Sequence, residues 1–348
     1  MEPFPVYDRT AARRAARRSG NIAGLFVLTA LVLSFLCGLF IPLLLSFFGK
    51  IDLNADRFGL SQTGYDLLNM ALYIFFLSPS ILLGLLLRRP FPLLRSQNRP
   101  MPRRVLLPAI LAGMGVCMTA NLLANAVYSF FTNIGINPYS PEPATLTWPG
   151  LLIALLSVAV LPALLEELLF RGYVLQVLRP HGELNALLLS SLLFGLLHGN
   201  VIQIPFAFVS GLAFGYLTLR TGNIWAGVLL HALNNAYATL SDYGPLFFRD
   251  ENLQNGYSTV LYVLMLLAGC VSVWYLYSRT DFFNGLSNNS GPVLSAGERT
   301  KAVWSAPMVI VTLAMLTLYA IYVAASTWEP AQLNLLPLAG LLRGYGLC

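Results

Sequence analysis

Residues 163–178 read ALLEELLFRGYVLQVL. Two acids, Glu166 and Glu167, stand side by side in apolar sequence, and Arg171 follows closely. A carboxylate at the centre of a bilayer costs about 2.5–3.5 kcal/mol by insertion scales, so neighbouring acids there need a reason.

The rest of the chain says that the stretch lies in a membrane. Of 348 residues, 57% are hydrophobic and only 10% charged, and the mean hydropathy is +0.68. A soluble domain carries about 25% charged residues. A helix needs about 20 apolar residues to cross a bilayer core. Nine segments fit, at roughly 21–48, 66–87, 106–131, 149–178, 184–198, 201–219, 223–240, 257–277 and 304–327. The expected fold is an all-α polytopic bundle of about nine membrane helices. Residues 1–20 form a basic cytoplasmic segment, 21–131 three accessory helices, 145–240 a four-helix core, 257–327 two C-terminal helices and 328–348 a short tail. No internal repeat or low-complexity tract interrupts this order. The first apolar span is too long for a signal-peptide core and should stay in the membrane.

The net charge of +6 does not point to nucleic acid, because the basic residues collect in short loops. With a cytoplasmic N-terminus and nine alternating helices, 17 Lys and Arg fall inside and 4 outside, which accounts for all 21. Such a bias sets orientation. Cys37, Cys117, Cys270 and Cys348 form no C-x-x-C pair, so neither a disulfide framework nor a zinc knuckle is signalled. The C-terminal Cys348 is not itself a C-a-a-X signal.

Polar residues then gather on three of the core segments. Glu167 and Arg171 are four apart with the acid first, the favourable order on one helix face. Glu166, about 100° round the helix, is left the freer carboxylate. Pro162 removes a backbone hydrogen bond four residues earlier and should bend the helix. His198 ends the fifth span in SLLFGLLHGN, four residues after Phe194, and His231 and Asn235 share a face of the seventh. His181 lies in the loop RPHGE and reads as solvated. If the fourth helix continues to about residue 178, Glu166, His198, His231 and Asn235 lie ~18, ~21, ~12 and ~18 Å from the cytoplasmic end. They can then meet at one level, with Arg171 partly buried. Gly195 with Gly199, and Gly211 with Gly215, have the spacing that lets helix backbones approach.

A carboxylate and an imidazole can activate water. An imidazole and an amide on another helix can hydrogen-bond a developing oxyanion. No G-x-S-x-G and no H-E-x-x-H occurs, so neither a serine nucleophile nor the usual zinc motif is signalled. At this point the chain resembles the CPBP intramembrane proteases, also called the ABI or CAAX prenyl protease family. Its motifs E-E-x-x-x-R, F-x-x-x-H and H-x-x-x-N appear in order as Glu166-Glu167 to Arg171, Phe194 to His198, and His231 to Asn235. The resemblance covers about residues 145–240. It implies a glutamic-type endopeptidase in which Glu166 and His198 activate water and His231 and Asn235 form the oxyanion hole. Glu167, Arg171 and Phe194 would organise the site. No cofactor is expected.

Two alternatives share these residues. Glu166, His198 and His231 are acceptable zinc ligands, which would make a metalloprotease. Intramembrane acids also occur in transporters, and a noncatalytic scaffold or immunity protein would use the same helices. The expected partners are the lipid bilayer and a membrane-associated protein or peptide substrate. Eukaryotic relatives in the resembled family trim prenylated CAAX proteins. The short loops and tail point instead to a prokaryotic cell membrane and to unprenylated peptides.

Overall fold

The computed structural model describes residues 8–86, 101–133, 146–286 and 293–326. The tail 328–348 with Cys348, and Arg88, Arg89, Arg95 and Arg99 of the second loop, lie outside these residues.

Among them every spanning segment is helical, as hydrocarbon demands, because only a helix or a closed barrel satisfies its own backbone polar groups there. In chain order these are α1 Arg9–Phe47, α2 Gln62–Leu86, α3 Arg103–Asn133, α4 Trp148–His181, α5 Glu183–Leu197, α6 Gln203–Thr221, α7 Ile224–Asp242, α8 Glu251–Arg279, α9 Ala296–Trp304 and α10 Pro307–Ser326. All nine expected segments are present, and α9 is an added short helix ahead of the last. Seven are long and apolar enough to cross a bilayer. Of the other two, α5 has only 15 residues, and α7 has polar His231, Asn234 and Asn235 along it. Large apolar side chains such as Phe40, Phe75, Val271 and Ile321 face outward, as a lipid-facing surface requires.

Close backbone approaches hold the bundle together. A Cβ on Gly115 of α3 would meet Gly269 of α8 at 2.7 Å, and one on Gly24 of α1 would meet the Met308 backbone of α10 at 2.5 Å. Packing of this kind substitutes for the hydrophobic driving force that is missing between helices in lipid. Thr312 of α10 also donates to the Gly24 carbonyl at 3.0 Å.

Loops that the charge count placed together meet at one end of the bundle. Ser19 of α1 bonds His181 at the end of α4. Arg9 and Arg13 pair with Glu298 of α9. At the end of α6, Arg220 donates to the carbonyls of Asp281 and Asn284. His181 is thus half-buried and hydrogen-bonded rather than simply solvated, because the start of α1 packs over its loop.

α4 is one long helix, capped by Thr147, whose side chain accepts from Gly150 N. It contains two π-helical stretches, Leu155–Val160 and Leu168–Val174. Pro162 starts the α-helical turn between them and does not break the rod. Such π segments recur at functional sites. α5 and α6 form a tight hairpin. Gly195 makes it possible, since a Cβ there would lie 2.9 Å from the Ile204 carbonyl. Gly199 plays a different part from the helix contact expected of it. It sits in the turn after α5 with φ +67°, against the Tyr319 ring of α10. Tyr319 lies 12 residues into α10, or ~18 Å along its axis. The hairpin tip carrying His198 therefore stays within membrane depth.

Candidate active site

The two acids of α4 are both buried, with Glu166 6% and Glu167 0% exposed, and they have different partners. Glu167 Oε1 accepts from Arg171 Nη1 at 2.7 Å. Arg171 is completely buried, more deeply than its sequence position suggested. Its Nη2 donates to the Gly211 carbonyl of α6 at 2.8 Å. The guanidinium carbon lies 4.6 Å from the centre of the Phe194 ring and 5.5 Å from that of Phe214. Gly211 leaves room for this group, since a Cβ there would approach Nη2 to 3.2 Å. The Gly211–Gly215 pair therefore houses an arginine as well as letting helices approach.

His231 of α7 joins the two acids. Its Nδ1 lies 3.1 Å from Glu167 Oε1, and its Nε2 lies 3.9 Å from Glu166 Oε2. The ring stacks on Phe214, with centroids 4.7 Å apart and planes within 16°. Glu167, paired with Arg171, can only accept, so Nδ1 carries the proton and donates. A neutral His231 then presents a lone pair at Nε2. It can donate from Nε2 only as imidazolium.

His198, the residue after α5, is held in the same way. Its Nδ1 lies 2.8 Å from the Phe194 carbonyl. A carbonyl only accepts, so Nδ1 again holds the proton and Nε2 is left as the basic nitrogen. Phe194 stands edge-on to both imidazoles, 4.9 Å from His198 and 5.9 Å from His231. Glu166, His231 and Arg171 lie within electrostatic range of His198.

Asn235 has a partner that the sequence did not suggest. Its Nδ2 donates to the Val158 carbonyl of α4 at 3.0 Å, and its Oδ1 accepts from Asn234 at 3.1 Å. Val158 is four residues before Pro162, whose nitrogen has no hydrogen to give in an α-helical turn. The proline thus exposes a carbonyl, and Asn235 uses it to join α7 to α4. One N–H of the amide remains for other use.

Sequence reasoning passed over Tyr73 of α2, whose hydroxyl donates to Glu166 Oε1. It also passed over Phe214 and Gly227, the latter set against Glu167 Oε2. Among the described residues, no three of His, Cys, Asp and Glu are grouped so as to hold a metal ion. Glu166, His198 and His231 do not form such a ligand set.

Comparison with known proteins places this geometry in a family context. Residues 148–237 match the family model described as Type II CAAX prenyl endopeptidase Rce1-like. A curated relative, "Putative membrane peptidase YdiL" of Bacillus subtilis (strain 168), is 22% identical over 222 residues, covering 63% of this chain and 88% of that protein. No solved structure matches the chain. The resemblance drawn from the three motifs therefore holds. This is a multi-pass membrane protein with an Rce1-like segment, and every motif residue above lies within that segment.

Proposed function

We propose that the chain is an intramembrane endopeptidase of the glutamic type. The observation that carries this reading is the unequal use of the two acids. Arg171 and His231 occupy Glu167, whereas Glu166 faces an imidazole nitrogen at 3.9 Å and, among the described residues, makes no ion pair to a permanent cation. The Rce1-like match and the membrane-peptidase relative support the membrane-peptidase part of this reading.

Water between Glu166 and His198 Nε2 would lose a proton to this pair and attack the scissile carbonyl. The two groups share a general-base role of the kind worth about 10²–10⁴-fold. The oxyanion would be met by the spare N–H of Asn235 and by Nε2–H of a protonated His231. Glu167 accepts at Nδ1 and so fixes the orientation of the ring. Collapse of the intermediate breaks the C–N bond and returns the proton to the leaving amine. We read the substrate as a membrane-associated protein or peptide in a prokaryotic cell membrane, which fits the Bacillus relative.

The test uses the full chain purified in detergent and internally quenched peptides, each containing one apolar segment. Glu166→Gln and His198→Ala should each lower kcat about 10²–10⁴-fold with an unchanged melting temperature. A chelator should leave the wild type active. Wild-type rates in Glu166→Gln, or activity lost to chelator and restored by zinc, would overturn the mechanism.

A further inference from the structure

The Rce1-like match begins at residue 148, yet one of the contacts to Glu166 comes from far outside it. Tyr73 lies in the accessory helix α2 and donates its hydroxyl hydrogen to Glu166 Oε1, 93 residues away in sequence. We propose that Tyr73 is a positioning residue of the active site and that α2 is part of the catalytic apparatus. The proposal rests on the role given to Glu166 above.

Three observations support it. First, Tyr73, Leu77, Ser80 and Gly84 of α2 are spaced four, three and four residues apart on one face, and the two ends of this stripe, Tyr73 and Gly84, meet α4. Leu77 and Ser80 are buried, and Gly84 lies so close to the Tyr173 ring of α4 that a Cβ would be 2.3 Å away. Tyr173 is itself buried and tilted against Phe26 of α1, with centroids 5.3 Å apart. The register of α2 is thus fixed about three turns from Tyr73. The phenol is aimed at Glu166 by packing.

Second, the bond divides the carboxylate. Oε1 is engaged by the phenol, which leaves Oε2 directed toward His231 Nε2. A carboxylate with one oxygen tethered has a defined second oxygen for a proton transfer, and orientation is a large part of what a site contributes. Third, among the described residues no arginine pairs with Glu166 as Arg171 pairs with Glu167. The phenol hydrogen bond engages one oxygen of a buried carboxylate without bringing the fixed charge that Arg171 brings to Glu167. Tyr73 acts through Glu166 and need not touch substrate.

Two measurements on the full-length protein in detergent test this. In the first, Tyr73→Phe should lower kcat on the order of 10- to 100-fold, as for loss of one hydrogen bond to a charged group. KM should stay at its wild-type value, and the melting temperature should fall by only a few degrees, as for one lost buried hydrogen bond. In a Glu166→Asp background, where the shorter side chain withdraws from the phenol, the same change should cost far less. In the second, the near-ultraviolet tyrosine difference spectrum between wild type and Glu166→Leu should vanish when both carry Tyr73→Phe. A Tyr73→Phe enzyme within twofold of wild type while Glu166→Gln is inactive would overturn the positioning role and leave the protease reading intact. Additive effects of Tyr73→Phe and Glu166→Asp, or a difference spectrum that survives without Tyr73, would also overturn it. Full activity in Glu166→Gln would remove both.

Discussion

Two ion pairs in this molecule have the same length and different standing. Arg171 Nη1 lies 2.7 Å from Glu167 Oε1, and Arg9 Nη2 lies 2.7 Å from Glu298 Oε1. The first pair is 0% exposed on both sides, and the second is 64% and 26% exposed. Around the buried pair, Gly211, Phe194, Phe214 and His231 fill the space and supply further contacts. Around the surface pair, Arg9 competes with Arg13 for the same oxygen. Distance alone does not separate a site from a surface contact. The cost of losing one partner does, because a stranded charge in the first place has no water to turn to.

The largest test of this contrast removes the buried cation. Arg171→Met leaves Glu167 charged and buried, and breaking such a pair costs about 3–5 kcal/mol. Thermal or denaturant unfolding in detergent should show that loss, and activity should fall with it. Glu167→Gln combined with Arg171→Met removes both charges and should recover most of the stability. It should not recover activity, since His231 then loses the carboxylate that accepts from Nδ1 and orients its ring. Recovery of both would show that the pair is only structural.

A smaller change crowds the buried pair without touching a charge. A Cβ on Gly227 would lie 2.7 Å from Thr218 Oγ1 and 3.1 Å from Glu167 Oε2. Thr218 is bonded to the Phe214 carbonyl at 2.9 Å and cannot yield freely. Gly227→Ala should therefore cost about 1–3 kcal/mol, as overpacking does. A neutral or stabilising outcome in the same unfolding assay would mean that the cradle is looser than the contacts imply.

How much of this contrast was legible in the sequence follows from the same distinction. The pairing of Glu167 with Arg171 is a matter of spacing on one helix, and the sequence displays it. The three motifs are likewise local, and the depth argument that brought them to one level needed only helix rise and a long α4. What the sequence did not display depends on contacts between helices. Tyr73 sits in an apolar helix as membrane tyrosines often do, and only its stripe with Leu77, Ser80 and Gly84 hints at an inward face. Asn235 seemed free for an oxyanion until α7 packed against the carbonyl exposed by Pro162. The π stretches of α4 leave no mark in composition, since they depend on the packing of neighbours. Gly199 has helical spacing from Gly195, yet the chain turns before reaching it.

The smallest effect belongs to the surface pair, and its pH dependence separates it from the buried one. The Glu298 carboxyl is held down to about 2 from the ordinary 4.5, first by the Ser295 backbone N–H of its capping box, then by Arg13 and Arg9. A lowered carboxyl pKa contributes stability above its unfolded value and loses it as pH falls through the folded one. The tether between the start of α1 and α9 should therefore be intact at pH 7 and weaken from about pH 4.5 down to about 2. Amide-exchange protection factors for residues 9–20, corrected for intrinsic rates, should follow that fall in wild type. Glu298→Gln should show weaker protection at pH 7, no matching acid transition, and unchanged peptide cleavage. A loss of activity in Glu298→Gln comparable to that in Arg171→Met would break the contrast, because a solvated pair would then carry as much as a buried one.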